Sequence, residues 1–192
     1  MAINFRTVQQ FLDSYDTISL TLAANDEQIV GRTTIQKLIY FEDILIPEIK
    51  LIEPYVAYFY GPFNKEVAKS LEQMVVFNIL EEKTLSGRHE GYLYRVSEKG
   101  TPIMSKLLDK YNKSYIKIEN LVNICYEHCK LDPNVLSFAA KIHYILNSNN
   151  KMKKMNNDNL VKIANNLGWK ISKSEINQGV GLLEKLQLVK IA

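Results

Sequence analysis

Basic and amide side chains near the C-terminal end of the chain have the chemistry needed to contact nucleic acid. Residues 147–192 carry eight basic and three acidic side chains, whereas residues 1–146 carry sixteen basic and eighteen acidic ones. Lysine ammonium groups bind phosphates, and short polar side chains can hydrogen-bond to base edges. The alternative is a lysine-rich surface that only reflects a composition biased to Asn, Lys and Ile. The candidates for duplex DNA contacts are Lys170, Lys173, Ser174, Asn177 and Gln178, with further lysines at Lys151, Lys153, Lys154 and Lys162.

A second group of candidates lies in the first half of the chain, at the start of a predicted helix and on a predicted hairpin. Polar side chains at the start of a recognition helix contact bases, and basic side chains there and on a hairpin bind phosphates. The group comprises Asn64, Lys65, Lys69, Lys83, Arg88, His89 and Arg95. Nearby acidic side chains would repel phosphate; they are Glu66, Glu72, Glu81, Glu82 and Glu90. The C-terminal group is therefore favoured as the DNA contact, and the alternative for this group is an ordinary solvated surface.

Cys125, His128 and Cys129 have the residue types and the helical spacing of a zinc site. A tetrahedral site needs a fourth ligand, however, and the sequence has no second cluster of cysteine and histidine. Both cysteines also fall on an apolar helix face, where buried thiols are common. The sequence further lacks a glycine-rich phosphate loop, a serine elbow and a paired histidine–carboxylate motif. We therefore expect no metal, no cofactor and no enzymatic activity.

Apolar spacing in the first half of the chain predicts the elements that position these candidates. A second helix is expected between Gly31 and Pro47, and Thr33 and Gln36 have the spacing of a capping box at its start. Two extended runs joined by a polar, glycine-containing link predict a β-hairpin. Helices followed by such a hairpin have the order of a winged helix-turn-helix module. The other predicted elements are helices at 4–24 and 63–75 and a strand at 55–60, and the hairpin joins 79–85 to 92–96.

A long helix with a heptad pattern is predicted to follow from Met104. Its apolar positions alternate spacings of four and three, so they form one seam along the helix. The seam must be covered, either by a second copy of the chain or by the chain's own helices, such as the one predicted at 135–146. Both alternatives remain open. The candidate dimer-interface residues are Leu108, Tyr111, Tyr115, Ile118, Val122 and Cys125.

A second helix-turn-helix pattern lies beyond the Asn- and Lys-rich stretch 147–159. Gly168 marks its turn, Ser172 and Glu175 have capping-box spacing, and Gly179 and Gly181 indicate close packing or a bend in the last helix. The predicted fold is mainly α with a small β-hairpin wing, and it has two winged helix-turn-helix modules joined by a long helix. The predicted regions are 1–103 (winged helix-turn-helix), 104–130 (heptad helix for dimerisation or linking) and 131–192 (helix-turn-helix with a truncated wing).

Three short motifs, at 31–40, 60–63 and 92–100, give the chain a resemblance to a known family. In that order they resemble the YwgA-like proteins of bacteria and archaea, and the resemblance covers roughly residues 15–105. They also resemble, more distantly, the Panacea antitoxin domain, whose members share a Leu-Gln-Lys-Leu helix and a Tyr-Gly-Pro turn; Ile35 replaces the first leucine here. The resemblance implies a winged-helix-like regulator or interaction module without a cofactor.

Taken together, these patterns predict a cytoplasmic, homodimeric transcriptional regulator that binds double-stranded DNA. The longest uncharged stretch, 54–64, is too short to span a bilayer, and residues 1–6 do not open a signal peptide. The alternative is a protein-binding module, such as an antitoxin or a scaffold, that uses the same fold without contacting DNA. A DNA-binding protein should present a contiguous positive face, whereas a protein-binding module should present an apolar groove.

Overall fold

The computed structural model of the protein describes residues 10–86, 91–148 and 157–189. Within these residues the chain is mainly helical, with eight helices and five short strands. None of the helices in these three ranges combines the length and the apolar composition needed to cross a bilayer. In chain order the elements are α1 (Ser14–Ala23), β1 (Gln28–Val30), α2 (Arg32–Leu45), β2 (Val56–Tyr58), β3 (Gly61–Phe63), α3 (Lys65–Val76), β4 (Leu80–Leu85), β5 (Gly91–Val96), α4 (Thr101–Lys110), α5 (Asn112–Cys129), α6 (Pro133–Ser148), α7 (Asn157–Asn166) and α8 (Lys173–Lys185).

A three-stranded antiparallel sheet confirms the hairpin predicted from the two extended runs. β4 pairs with one edge of β5 and β1 pairs with the other, so the strand order is β1-β5-β4. The strand predicted at 55–60 is instead the start of a separate antiparallel pair, β2 with β3. Phe59 and Tyr60 form the turn of this pair, and Gly61 after it has a φ of 105°, a value that favours glycine.

The first helix begins later than its apolar spacing predicts. Asp13 caps α1 by accepting a hydrogen bond from the backbone N–H of Asp16 at 2.9 Å. Leu12, just before the cap, forms a β-bridge with Ile49. The backbone is therefore paired with another segment where a helix was predicted, and residues 4–9 of the predicted helix lie outside the described residues.

One of the two predicted capping boxes is confirmed and the other is wrong. At the start of α8 the Ser172 hydroxyl accepts from the backbone of Glu175, and the Glu175 carboxylate accepts from the backbone of Ser172. α2 instead begins directly after Gly31, whose φ is 93°. Thr33 therefore lies inside the helix, and Gln36 lies on its buried face.

The predicted long heptad helix is two helices, α4 and α5, because the backbone leaves the helical conformation at Tyr111 (φ −113°, ψ 27°). α5 packs against α1, α2, α6 and α8 of the same chain. Ile118, Val122 and Cys125 have no exposed surface in the single chain, so a second copy cannot reach them and the structure corrects their assignment to a dimer interface. Of the predicted interface residues, four are buried (Tyr111, Ile118, Val122 and Cys125) and two are half-buried against the same core (Leu108 and Tyr115).

The C-terminal helices share a core with the rest of the chain. α6 packs against α2 on one side and α8 on the other. Gly179 makes the contact between α6 and α8 close, because a Cβ there would lie only 2.8 Å from the backbone nitrogen of Ala139. Buried apolar side chains from all three predicted regions form one cluster. The predicted boundaries at residues 103 and 130 therefore do not separate independent hydrophobic cores.

Candidate functional site

Two of the sequence motifs, on α2 and around β3, are joined by buried hydrogen bonds. The side-chain amide of Gln36 donates to the carbonyl of Asn64 at 2.9 Å and accepts from the backbone N–H of Asn64 at 3.1 Å. The ammonium group of Lys37 donates to the carbonyl of Pro62 at 2.7 Å. These contacts are buried, so they satisfy backbone groups that water cannot reach. Gln36 and Lys37 thereby set the position of the β2–β3 pair and of the start of α3.

An aromatic turn, which we define as Tyr58, Phe59 and Tyr60, belongs to the β2–β3 pair that these hydrogen bonds hold in place. Their exposed fractions are 52%, 75% and 65%. The Tyr58 and Phe59 rings are 4.7 Å apart in an edge-to-face arrangement. From the C-terminal region, the indole N–H of Trp169 donates to the carbonyl of Tyr58 at 2.6 Å. Adjacent exposed aromatic side chains on an anchored backbone are typical of a binding surface.

A pocket of about 250 Å³ lies beside the aromatic turn, between α2, the β2–β3 pair and α3. Its walls are mainly apolar or aromatic, and its polar groups come from the first two turns of α2 and from Glu72 of α3. Sequence reasoning missed both the pocket and the turn, because it interpreted the aromatic run as a strand. The lining residues that matter most are Arg32, Lys37, Tyr60, Phe63, Ala68 and Glu72.

Two buried lysines give this region an unusual charge. Lys37 is 2% exposed and Lys141, on α6, is 7% exposed. Burial, together with the charge of Lys141, lowers the pKa of Lys37 to about 7. Burial also lowers the pKa of Lys141, against a smaller raising effect of Glu175. Among the described residues, neither lysine has a carboxylate within ion-pair distance.

The structure corrects the prediction that Asn64 contacts DNA. Asn64 is completely buried and caps α3: its side-chain oxygen accepts from the backbone N–H of Val67 at 3.1 Å, and its amide N–H donates to the carbonyl of Glu53 at 2.7 Å. A side chain with both polar atoms engaged and no exposed surface cannot read a base. The signal for this role was in the sequence, since asparagine before an amphipathic helix is a favoured cap.

The other DNA-contact candidates in the first half of the chain are scattered on a surface of mixed charge. Lys65 and Lys69 are exposed on α3, but they line a shallow depression with three carboxylates, those of Asp13, Glu53 and Glu66. Lys83 is exposed on β4, and the exposed Arg95 donates to Gln28 at 2.9 Å. Arg88 and His89 lie outside the described residues.

The C-terminal group of DNA-contact candidates is brought together at and along one helix, α8. The opposite face of α8 is buried and includes Ile176, Gly179 and Leu183. Lys173 pairs with Asp158 at 2.9 Å, but the two side chains are 70% and 77% exposed. Lys170 follows Trp169, so this surface adjoins the aromatic turn. All five candidates are exposed: Lys170 before the helix, and Lys173, Ser174, Asn177 and Gln178 on it; Lys162 is exposed on α7, and Lys151, Lys153 and Lys154 lie outside the described residues.

Comparison with known proteins finds one partial similarity. No protein-family model matches the chain. Over 78 residues the chain is 30% identical to the uncharacterized protein YwgA of Bacillus subtilis (strain 168). It is similar to YwgA over that part alone. The match covers 40% of this chain and 46% of YwgA, so the chain spans less than half the length of this relative.

The cysteines and the histidine once considered as zinc ligands occupy different environments. Cys125 is completely buried, and burial raises its pKa well above the ordinary value for a thiol. The thiol of Cys129 donates to the carbonyl of Cys125 at 3.2 Å, and His128 is exposed. In the three described ranges, no group of three or more His, Cys, Asp or Glu side chains is placed to hold a metal ion.

Proposed function

We propose that this chain is a DNA-binding protein of the winged-helix type that regulates transcription and contacts duplex DNA mainly through α8. The order of elements supports this proposal. α1, β1, α2, α3, β4 and β5 occur in this order, with the β2–β3 pair inserted between α2 and α3, and the strand between the first two helices pairs with the second strand of the hairpin. A winged helix-turn-helix module has this arrangement.

The observation that carries the proposal is the separation of two faces on α8. Ser174, Asn177 and Gln178 are exposed on one face, while Ile176, Gly179 and Leu183 are buried on the other against α6. Amide side chains can form paired hydrogen bonds with adenine in the major groove, and a hydroxyl can bond to several bases. α8 therefore has one face packed against α6 and an opposite face whose side chains can hydrogen-bond to base edges.

Positive charge at the start of α8 supports contacts to phosphates. Lys170 and Lys173 are exposed within four residues of each other. The pairing of Lys173 with Asp158 does not remove it from consideration, because an ion pair between two exposed side chains contributes little free energy. A phosphate can therefore replace the carboxylate as its partner.

A salt series tests the proposal with a charge-matched control. Affinity for a random-sequence duplex would be measured by fluorescence anisotropy for the full chain, for Lys170→Glu with Lys173→Glu, and for Lys65→Glu with Lys69→Glu on α3. The α8 pair should weaken binding by on the order of tenfold or more at low salt. It should also reduce the slope of log affinity against log salt by about 1.8, or about 0.9 for each lost phosphate contact. Equal effects of the two pairs would contradict the assignment to α8.

A second candidate function, a protein-binding module, is favoured by the aromatic turn. Three adjacent aromatic side chains that are at least half exposed form the type of anchor cluster that dominates protein–protein affinity. Photo-crosslinking from a benzoylphenylalanine placed at position 59 tests it in the native host. The expected result is one crosslinked protein that is lost when Tyr60→Ser is added and is absent when the probe is at the exposed Ile116. Crosslinks of equal pattern from positions 59 and 116 would eliminate this candidate.

A further inference from the structure

We infer that the pocket between α2, the β2–β3 pair and α3 binds a small organic anion with a planar apolar body. This site goes beyond DNA binding, because none of the α8 candidates lines it. The anion would lie with its charged group toward Lys37 and its apolar body against the aromatic side chains of the pocket. Three features support this assignment: the size of the pocket, the chemistry of its walls, and a buried lysine with no carboxylate within ion-pair distance among the described residues.

The size and walls of the pocket define the body of the ligand. At about 250 Å³ the pocket is close to the lower end of the range for ligand sites, roughly 300 to 1,000 Å³. Tyr58, Tyr60 and Phe63 line it from the β2–β3 pair, and Ala68 and Leu71 line it from α3. Aromatic walls of this kind favour a small, flat apolar group.

The lysine on the polar side of the pocket has no carboxylate within ion-pair distance in the described part of the chain. Lys37 lines the pocket at 2% exposure, and its only hydrogen-bond partner in the described part of the chain is the carbonyl of Pro62. Lysine is almost never buried to this extent without an anionic partner, and an ammonium group has three donors. Lys141, buried close by, adds a second positive charge. A carboxylate or phosphate on the ligand would supply the negative charge that is missing here.

The charges at the mouth of the pocket are already engaged with each other. The Arg32 guanidinium donates to Glu82 at 2.9 Å and lies 4.0 Å from Glu72, whose side chain is largely exposed. Glu72 thus faces Arg32 and solvent rather than neutralising Lys37. Lys37 is therefore the basic group of the pocket that remains available to an anion.

The protonation of Lys37 links binding to proton uptake. With its pKa lowered to about 7 by burial and by Lys141, much of Lys37 is uncharged at neutral pH. An anion bound beside it favours the ammonium form. Binding of the anion should therefore take up protons and weaken as the pH rises above about 7.

A matched set of probes tests the inference in the full chain. Phenylacetate and phenyl phosphate carry the two candidate anionic groups, and phenylacetamide is an uncharged isostere. Binding would be followed by amide chemical shifts in NMR titrations. For at least one anion we expect saturable shifts confined to residues 32–37, 58–63 and 68–72. The affinity of phenylacetamide should be lower by at least about tenfold. Whichever anion binds more tightly then identifies the charged group as carboxylate or phosphate.

Two variants on α3 locate the binding site without touching Lys37. Ala68→Trp should fill the pocket and abolish the saturable shifts, whereas Val76→Trp places the same side chain at an exposed position outside the pocket and should leave them unchanged.

Lys37→Met should remove the preference for the anion over phenylacetamide, provided that circular dichroism shows a folded chain. If it does not fold, the Ala68 and Val76 pair decides.

Several outcomes would overturn the inference. Equal affinity for phenylacetate and phenylacetamide would mean that Lys37 serves only to hold Pro62. Unchanged binding in Ala68→Trp would place the ligand elsewhere. Absence of saturable shifts with both anions would show that the pocket binds no ligand of this class.

Discussion

Two pairs of consecutive helices, α2 with α3 and α7 with α8, differ in the segments that connect them. Residues 46–64 join the first pair and include β2 and β3, whereas residues 167–172 join the second. The long connection folds back on α2, where Gln36 and Lys37 bind it. It thereby creates a pocket and buries Asn64 at the start of α3. The short connection leaves the start of α8 open to solvent.

This difference teaches that the position of a polar residue at a helix start does not decide its role. Asn64 and Ser172 are both caps, but Asn64 also binds a neighbouring segment and is fully buried. Polar groups in the first pair therefore contribute to stability and form a pocket. In the second pair, Ser174, Asn177 and Gln178 of α8 are exposed to solvent. The predictions below test this contrast, beginning with the largest expected effect.

Gly179→Ala should destabilise the chain by about 3 kcal/mol, because the new methyl group would lie 2.8 Å from backbone atoms of α6. Gly181→Ala is the matched control. Its methyl group would lie 3.4 Å from the exposed His128 ring, so this variant should gain up to about 1 kcal/mol from the higher helix propensity of alanine. The free energy of unfolding would be measured by urea denaturation. Similar losses at both positions would contradict close packing of α8 on α6.

Gln36→Leu should cost about 2 kcal/mol, because it leaves the backbone N–H and carbonyl of Asn64 buried without their partner. Ser172→Ala removes an exposed cap of the second helix pair and should cost about 1 kcal/mol. Urea denaturation of both variants measures the contrast. A larger loss for Ser172→Ala would show that the hydrogen bonds between Gln36 and Asn64 contribute less to stability than the cap of α8.

The stability of the wild-type chain should rise with pH above about 7 relative to Lys37→Met. The pKa of Lys37 is lowered from 10.5 to about 7 in the folded state, so between these values the unfolded chain binds more protons. Stability therefore increases across this window. From about pH 8.5 to about pH 10 the gain should be on the order of 2 kcal/mol. The exposed Lys65→Met is the control and should follow the wild type.

Glu42 sets the lower limit of the pH range for this measurement. It is completely buried, and burial raises its pKa to about 8 against a lowering hydrogen bond from Thr21. Between its ordinary pKa of 4.5 and about 8 the folded state binds more protons, so this contribution makes stability fall as pH rises. Above about pH 8.5 the contribution of Glu42 is complete. Other groups with shifted pKa values, such as Cys125 and Lys141, are present in both proteins, so the difference between wild type and Lys37→Met reports mainly on Lys37. A flat difference between wild type and Lys37→Met there would mean that Lys37 stays charged when buried.

Asp158→Ala should change stability by less than about 0.5 kcal/mol, because its pair with Lys173 is exposed at both ends. If α8 contacts DNA, the same variant should bind duplex DNA roughly two- to fourfold more tightly, since a competing carboxylate is gone. Fluorescence anisotropy and urea denaturation of the same sample measure the two effects. An unchanged DNA affinity would place Lys173 away from the phosphates.

Features that depend on neighbouring residues could be predicted from the sequence. The β4–β5 hairpin, the amphipathic α3 and α8, and the Ser172–Glu175 capping box depend on contacts within a few residues or on a simple period. The exposure of Ser174, Asn177 and Gln178 also follows from the period of α8. Their contact with DNA stays a prediction.

The pocket and the aromatic turn could not be predicted, because distant contacts form them. Gln36 meets Asn64 across 28 residues, and Trp169 meets Tyr58 across 111 residues. The aromatic run alone was consistent with a buried strand. In the structure, Lys37 and Trp169 bind the backbone of this segment, and the side chains of Tyr58, Phe59 and Tyr60 are exposed.

The sequence by itself therefore determined the β4–β5 hairpin, the approximate position of most helices, and which face of each amphipathic helix is apolar, since backbone hydrogen bonding and periodicity act locally. The tertiary structure decided what covers each apolar face. It placed α1, α2, α6 and α8 over the seam of α5, where the sequence allowed a second chain equally well. An apolar stripe specifies only that it must be removed from water, and hydrophobic burial does not depend on which chain supplies the cover.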